Sequence, residues 1–145
     1  MSPLEFITHS ENETFLLAQK LGASLHGDEI ILLVGDLGTG KTVFAKGLAS
    51  GLGLKAWHHV CSPSYTLINI YEAKVPIVHL DLYRLGSDAE VSDLGWEDYI
   101  GEAVVIIEWA DRMPHPENAL KIQFIFLSEK GRRIIITSPS PLKIE

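Results

Sequence analysis

The stretch GDLGTGKT, from Gly35 to Thr42, has the residue types and spacing of a phosphate-binding loop. Gly35 and Gly40 bracket the loop, and Lys41 and Thr42 follow directly. Glycines let the backbone wrap around an anion, a lysine ammonium approaches phosphate oxygens, and a threonine hydroxyl ligates Mg²⁺. The pattern therefore predicts that a nucleoside triphosphate binds here with its metal. A glycine-rich turn that caps a helix and binds nothing is the alternative.

The elements on both sides of this loop are those that a phosphate site requires. Ile30 to Val34 form a continuous apolar run, which predicts a strand buried on both faces of a sheet. Beyond the loop, Phe44, Leu48 and Leu52 recur every four residues, which predicts a helix. The first amides of a helix have no internal partners and lie at the positive end of its dipole. Phosphate oxygens can therefore accept hydrogen bonds from them.

Two carboxylates follow other apolar runs and are candidates to hold or orient a metal. Glu108 ends the run VVII, and Asp81 follows the run VPIV. Ligands of open α/β sheets collect at the carboxyl ends of strands, and a triphosphatase needs an acid there. Either acid alone could be only the first solvated residue after a strand, whereas both together with a phosphate loop indicate a site. His79 is predicted to be packed or solvated rather than a metal ligand.

The segment CSPSYTLINIY, from Cys61 to Tyr71, joins polar residues to an alternating run that predicts a strand. Two interpretations of its polar part stay open. Ser62 or Thr66 near a γ-phosphate would act as a switch that orders with triphosphate and relaxes after hydrolysis. Composition alone slightly favours a plain loop that leads into the strand.

Length and composition predict one domain spanning residues 1–145 in a reducing, cytoplasmic setting. The chain has 145 residues, 46% of them hydrophobic, and a net charge of −7. This content suffices for a buried core, whereas the acidic balance disfavours direct binding of nucleic acid. Cys61 is the single cysteine, and no apolar run reaches the ~18 residues of a membrane span. Two β-rich runs around the sequence SEKGR predict a hairpin near the C-terminus.

Four motifs together resemble the TsaE family, whose members are small bacterial ATPases of tRNA threonylcarbamoyladenosine biosynthesis. They are GDLGTGKT, SPSYTL, HLDLYR and EWADR, which occur in the family's order and spacing from about Gly35 to Arg112. The resemblance implies an α/β, P-loop NTPase-like three-layer fold with a mixed, mainly parallel sheet and a C-terminal β-hairpin. The departures are small, such as Thr39 where alanine is usual. None of them removes a group to which a chemical role is given.

The resemblance also implies an activity. ATP and Mg²⁺ are the expected cofactors, and hydrolysis is expected to be slow and dependent on partners. TsaB and TsaD are the expected partners, which transfer the threonylcarbamoyl group to adenosine 37 of tRNA, so that tRNA is reached only through the complex. No membrane partner is expected. The absence of an Asn-Lys-x-Asp segment favours ATP over GTP.

The site residues that the resemblance implies fall into three groups. Asp81 is expected to be the catalytic or water-orienting acid, with Lys41 and the switch-like Thr66 as further catalytic residues. Thr42 and Glu108 are the expected metal ligands. The expected nucleotide contacts are Gly38, Thr39, Gly40, Lys41, Thr42 and Val43 for the phosphates, Thr14, Phe15 and Arg133 for the adenine, and Trp109 at the site.

Three functions would use the same loop. The leading hypothesis is an ATPase subunit of a tRNA-modifying complex, whose ATP and ADP states differ in affinity for partners. The alternatives are a small-molecule kinase and a nucleotide-stabilised interaction module without useful turnover. A chain of 145 residues is too short for a phosphate-loop core and a separate substrate domain. This favours hydrolysis that drives a conformational or assembly cycle.

Overall fold

The computed structural model describes residues 3–36, 38–63, 66–82, 95–109, 116 and 118–142. In these residues the helices are α1 (Glu11–Ser24) and α2 (Lys41–Gly51). The strands are β1 (Leu4–Thr8), β2 (Ile30–Val34), β3 (Ile68–Glu72), β4 (Pro76–Asp81), β5 (Val104–Glu108), β6 (Leu120–Phe126) and β7 (Arg132–Thr137). Short 3-10 turns span Trp57–His59 and Trp96–Tyr99. None of the helices in these ranges is long and apolar enough to cross a membrane.

The described strands form a mixed sheet in the order β1-β7-β6-β2-β5-β4-β3. The central strands β6, β2, β5 and β4 run parallel to one another, and the outer strands pair antiparallel. The C-terminal strands β6 and β7 form the hairpin that the sequence predicts. The expected α/β class, with a mixed sheet, a parallel centre and a C-terminal hairpin, is therefore confirmed.

The parallel centre of the sheet is buried on both faces because its strands carry unbroken apolar runs. Along β2, Ile31 and Leu33 face α1 and α2, whereas Ile30 and Leu32 join a cluster on the other face. Trp96, from the second 3-10 turn, is buried in that cluster. Full burial of an aliphatic side chain contributes about 1.5–3 kcal/mol, so the centre of the sheet is a stable base for a site.

Small residues let α1 and α2 pack closely together. A Cβ placed on Gly47 would lie 2.5 Å from the Cβ of Ala18, and one placed on Gly51 would lie 2.2 Å from the carbonyl oxygen of Gln19. Such distances are far inside van der Waals contact, so only glycine permits this separation of the helices. The contact fixes α2, whose first turn follows the phosphate loop, against α1.

The parallel topology brings three carboxyl ends to one edge of the sheet. Asp81 of β4 lies opposite Glu108 of β5, and Glu108 lies opposite Leu33 of β2. Strand β2 then leads directly into the loop that begins at Gly35. The loop and both acids therefore share the edge where ligands of open α/β sheets bind.

Candidate nucleotide and metal site

The loop from Gly35 to Gly40 turns the chain from β2 into the first turn of α2. Gly40 is the N-cap of α2 and has a φ of 102°, a left-handed conformation that favours glycine. No side chain of the described residues caps this end of the helix. The first amides of α2 have no acceptors within the helix, so this end is suited to bind an anion.

A cavity of about 860 Å³ lies at this end of α2. The loop and the helix contribute Gly38, Gly40, Lys41, Thr42 and Val43 to its lining. The other lining residues come from around the start of α1, the segment before β3, the ends of β4 and β5, and the hairpin turn: Ser10, Glu11, Asn12, Thr14, Ser62, Asp81, Glu108, Trp109, Glu129, Lys130 and Arg132. Cavities of roughly 300–1,000 Å³ commonly hold cofactors and small molecules.

Contacts with Gly35 and Trp109 hold Lys41 at the loop. Its Nζ donates to the carbonyl oxygen of Gly35 at 2.5 Å and lies 3.4 Å from the centroid of the Trp109 ring. Trp109 directly follows β5 and has a φ of 60°, a strained backbone conformation for a bulky residue. The ring attracts the ammonium and keeps its charge beside the loop. Because Lys41 is buried, water screens that charge little from an anion in the cavity.

Four polar side chains form a continuous hydrogen-bond chain next to the loop. The Oγ of Ser62 lies 2.5 Å from the Oγ1 of Thr42 and donates to the carboxylate oxygens of Glu108 at 3.1 and 2.9 Å. The Nε2 of His79 lies 2.6 Å from the Oε2 of Glu108. Ser62 has a single hydrogen and directs it toward Glu108, so the hydroxyl of Thr42 donates to Ser62. Ser62 thus joins the loop threonine to the buried glutamate.

Asp81 and Glu108 are adjacent acids, and each is only 2% exposed. The backbone amide of Asp81 donates to the carbonyl oxygen of Leu67 at 3.0 Å. Leu67 has a φ of 70°, so the backbone is strained where the segment before β3 meets Asp81. Two acids buried side by side offer oxygen ligands to a cation between the sheet edge and the loop.

The oxygen donors at this edge fit a magnesium ion. Mg²⁺ prefers hard oxygen ligands and commonly binds through one or two carboxylates together with phosphates of the substrate. The Thr42 hydroxyl and the Glu108 carboxylate are donors of this kind, and both contact the hydroxyl of Ser62. One hydroxyl therefore bridges the two oxygen donors.

A sequence model of the family described as threonylcarbamoyl adenosine biosynthesis protein TsaE matches residues 8–134. This range includes the loop, both acids and every residue that lines the cavity. The chain belongs to the TsaE family. The resemblance that the four motifs indicate is thereby confirmed.

Two TsaE proteins are similar to this chain over most of their own length. The tRNA threonylcarbamoyladenosine biosynthesis protein TsaE of Aquifex aeolicus is 39% identical over 133 residues, which cover 91% of this chain and 94% of that protein. The protein of the same name from Bacillus subtilis is 34% identical over 142 residues, covering 95% and 87%. A crystal structure of Bacillus subtilis YdiB has a TM-score of 0.75 and 29% identity, covering 96% of this chain and 87% of that one.

Most of the site residues expected from the TsaE resemblance line the cavity. They are Thr14, Gly38, Gly40, Lys41, Thr42, Val43, Asp81, Glu108 and Trp109. Thr39 has a different position, because its buried Oγ1 donates to the carbonyl oxygen of Asp36 at 2.6 Å and so shapes the loop from within. The motif positions 37, 64–65, 83–84 and 110–112 lie outside the described residues.

Thr66 and Phe15 are not among the residues that line the cavity. Thr66 is exposed, and its hydroxyl donates to the Oδ1 of Asn69 at 3.1 Å. The ring of Phe15 packs against that of Trp57, with centroids 4.5 Å apart. Successive side chains of a helix point about 100° apart, which explains why Thr14 reaches the cavity and Phe15 does not. A contact from Thr66 to a phosphate would require the segment before β3 to move.

Arg133, the expected adenine contact, is not among the residues that line the cavity, whereas its neighbour Arg132 is. Adjacent residues of a strand point to opposite faces of the sheet. Arg133 accordingly pairs with Glu5 through Nε and Nη2, each 2.8 Å from a carboxylate oxygen. The hydrogen bond lowers the pKa of Glu5 and raises the pKa of Arg133. Arg133 therefore belongs to the surface of β1 and β7.

Arg132 joins the hairpin turn to the phosphate loop. Its Nε donates to the carbonyl oxygen of Thr39 at 3.2 Å, and its Nη2 donates to that of Gly38 at 3.0 Å. Its Nη1 donates to the carbonyl oxygen of Ser128 at 2.7 Å within the turn. One guanidinium thus fixes the spacing between the turn and the loop.

Sequence reasoning gave no role to Arg132 or His79 and left that of Ser62 open. A signal existed for Arg132, because it alternates with the core residues Ile134 and Ile136 and so shares their face of β7. His79 likewise alternates with Asp81 along β4. Nothing in the sequence placed Ser62 between Thr42 and Glu108, because that contact joins residues far apart in the chain.

Proposed function

We propose that this chain is a Mg²⁺-dependent ATPase required to form the threonylcarbamoyl group on adenosine 37 of tRNAs that read codons starting with adenine. The observation that carries the proposal is the cavity in which Lys41, Thr42, Asp81 and Glu108 meet at the N-terminus of α2. Family membership supports the pathway, since the relatives are named tRNA threonylcarbamoyladenosine biosynthesis proteins.

Each group at the cavity has a part in the proposed reaction. The first amides of α2 and the ammonium of Lys41 bind the β- and γ-phosphates. Thr42 and Glu108 hold Mg²⁺, which when bound neutralises charge on the phosphate oxygens. Asp81 orients the attacking water or accepts its proton. Ser62 gives up its contact with Thr42 or Glu108 when these oxygens take a new ligand.

Hydrolysis in this proposal drives a cycle of assembly with TsaB and TsaD. A two-state protein responds to ATP only as far as ATP binds one state better than the other. The segment before β3 is the element that would change its contacts between the two states. Its Ser62 contacts Thr42 and Glu108, and the carbonyl oxygen of its Leu67 accepts a hydrogen bond from Asp81. Transfer of the threonylcarbamoyl group itself belongs to the partners, and tRNA reaches this chain only through them.

Phosphate release from ATP and from GTP tests the proposal, first with the purified chain and then with TsaB and TsaD added. We expect slow turnover of ATP alone, a rise with the partners, and little turnover of GTP. Turnover that is indifferent to both partners would contradict the proposed cycle. Transfer of label from ATP to an acceptor other than water would support a small-molecule kinase instead.

Binding of Mg·ATP by two lysine variants of α2 tests the loop assignment. Lys41→Ala is expected to weaken binding strongly, because it removes the buried charge beside the phosphates. Lys46→Ala is the matched control, since the ammonium of Lys46 donates to the carbonyl oxygen of His58 at the surface. Equal affinities for the two variants would defeat the assignment. Asp81→Ala is expected to retain binding and to lose turnover.

A further inference from the structure

His79 is a buried polar side chain to which the proposed reaction gives no part. It lies within β4, flanked by β3 and β5, and its exposed fraction is 0%. Burying an imidazole costs free energy unless its polar atoms are hydrogen-bonded. The Nε2 contacts Glu108 at 2.6 Å, whereas the Nδ1 has no hydrogen-bond partner among the described residues. Among the described residues, the hydrogen bond of this ring thus goes to the carboxylate of Glu108.

The contact has a defined direction. Glu108 also accepts a hydrogen bond from Ser62, so its carboxylate acts as an acceptor. The Nε2 of His79 therefore carries the hydrogen of this contact and donates it to the carboxylate of Glu108.

We propose that His79 is a positioning residue that fixes the carboxylate of Glu108 for the metal. This inference rests on the proposed function, in which Glu108 is a metal ligand. A ligand that is already held by a rigid neighbour loses less conformational freedom when the metal binds. Strand β4 supplies that rigidity, because it is paired on both sides.

Ser62 and His79 hold Glu108 in different ways. Ser62 contacts Thr42 as well as Glu108, so it occupies oxygens that the metal would need. His79 contacts Glu108 but is not bonded to Thr42. If a metal took the place of Ser62, the hydrogen bond from His79 would still orient the carboxylate of Glu108. Ser62 is thus the exchangeable partner of Glu108, and His79 is the permanent one.

Mn²⁺ binding to the full chain with a non-hydrolysable ATP analogue tests the proposal, with electron paramagnetic resonance as the readout. His79→Leu is expected to lower Mn²⁺ affinity about 10- to 100-fold, the usual effect of losing a partner of a metal ligand. Binding of the analogue in EDTA is expected to stay within about twofold, because the amides of α2 and Lys41 do not contact the metal ligands through His79. His79→Gln should recover most of the affinity, since its amide N–H can replace Nε2–H.

Unchanged Mn²⁺ affinity in His79→Leu would overturn the proposal, as would an equal loss of analogue binding in EDTA, which indicates a structural role. If His79→Leu does not fold, His79→Gln is compared with His79→Asn, whose shorter amide cannot span the same distance. Equal Mn²⁺ affinities for these two variants would also overturn it. Glu108→Gln separates the two proposals. If this variant keeps its Mn²⁺ affinity, the metal role of Glu108 is refuted. If Glu108→Gln loses Mn²⁺ affinity while His79→Leu keeps it, only the role of His79 is refuted.

Discussion

Arg132 and Arg133 are adjacent in the chain and make contacts of different kinds. The guanidinium of Arg132 donates to carbonyl oxygens of the phosphate loop, whereas that of Arg133 pairs with the exposed carboxylate of Glu5. The first contact involves backbone that, in the proposed function, must keep one shape to bind phosphates. The second is a surface ion pair, a class that usually contributes little to stability.

Replacing each arginine by alanine tests this distinction. Arg132→Ala is expected to weaken ATP binding about tenfold, or about 1.4 kcal/mol, because the loop at Gly38 and Thr39 loses its link to the hairpin turn. Arg133→Ala is expected to leave ATP affinity unchanged. Titration calorimetry on both variants checks this, and a comparable loss of affinity in Arg133→Ala would refute the assignment.

At the scale of elements, the site depends on the position of α2 against α1. The cavity is lined in part by the phosphate loop, by α2 and by the region around the start of α1. The packing of α1 against α2 sets how these three parts are placed relative to one another. Ala18 and Gly47 are in direct contact there, with no room for a further methyl group. Glycine therefore sets the separation of the helices. That separation in turn determines how far apart the cavity-lining residues of α1 and α2 lie.

Gly47→Ala is predicted to destabilise the protein by about 1–3 kcal/mol, because overpacking forces the two helices apart. The sign of the change in unfolding free energy is diagnostic, because Gly→Ala at an exposed position of a helix stabilises a protein by about 1 kcal/mol. Urea denaturation followed by circular dichroism measures the change, with Lys46→Ala on the same helix as the control. A gain in stability for Gly47→Ala would show that the helices are less tightly packed than the structure indicates.

At the scale of the whole molecule, the chain is acidic, with a net charge of −7, and two buried acids and one buried lysine line its cavity.

The stability of the fold also depends on a carboxylate that is not part of that cavity. Glu29, just before β2, accepts hydrogen bonds from the backbone amides of His26, Gly27 and Asp28 at 2.7, 2.9 and 3.1 Å. Burial alone would raise the pKa of Glu29, but these amide hydrogen bonds together lower it from 4.5.

The lowered pKa of Glu29 predicts how stability changes with pH. The ionised carboxylate stabilises the fold above pH 4.5, its ordinary pKa, and this contribution is lost as the pH falls through the lower folded value. Glu29→Gln is expected to cost about 1 kcal/mol at pH 7. The difference in free energy of unfolding between Glu29→Gln and the wild type should shrink below pH 4.5.

Glu72→Gln is the control for this measurement, because Glu72 is an exposed residue of β3 that accepts no such amide hydrogen bonds from the described residues. Its unfolding free energy at pH 7 should be close to that of the wild type, because the replacement removes no such hydrogen bonds. A difference between Glu29→Gln and the wild type that stays constant through acid pH would contradict the role given to the Glu29 carboxylate.

The local sequence was sufficient to predict the loop, the buried strands β2, β4 and β5, the start of α2 and the C-terminal hairpin. These features follow from spacing within a few residues: glycines that permit left-handed backbone, apolar runs that are buried, and an apolar period of a helix. The acids Asp81 and Glu108 could be proposed for a similar reason, because Glu108 directly follows one apolar run and Asp81 lies three residues beyond the end of another.

Only the tertiary structure decided which side chains meet across the sheet. Register placed His79 against Glu108 and let Ser62 join Glu108 to Thr42, and the alternation of β7 put Arg132 rather than Arg133 beside the loop. Such contacts join distant parts of the chain, and a shift of one residue in a strand moves a side chain to the other face of the sheet. The sequence alone therefore determined the kinds of groups at this site, and packing determined their partners.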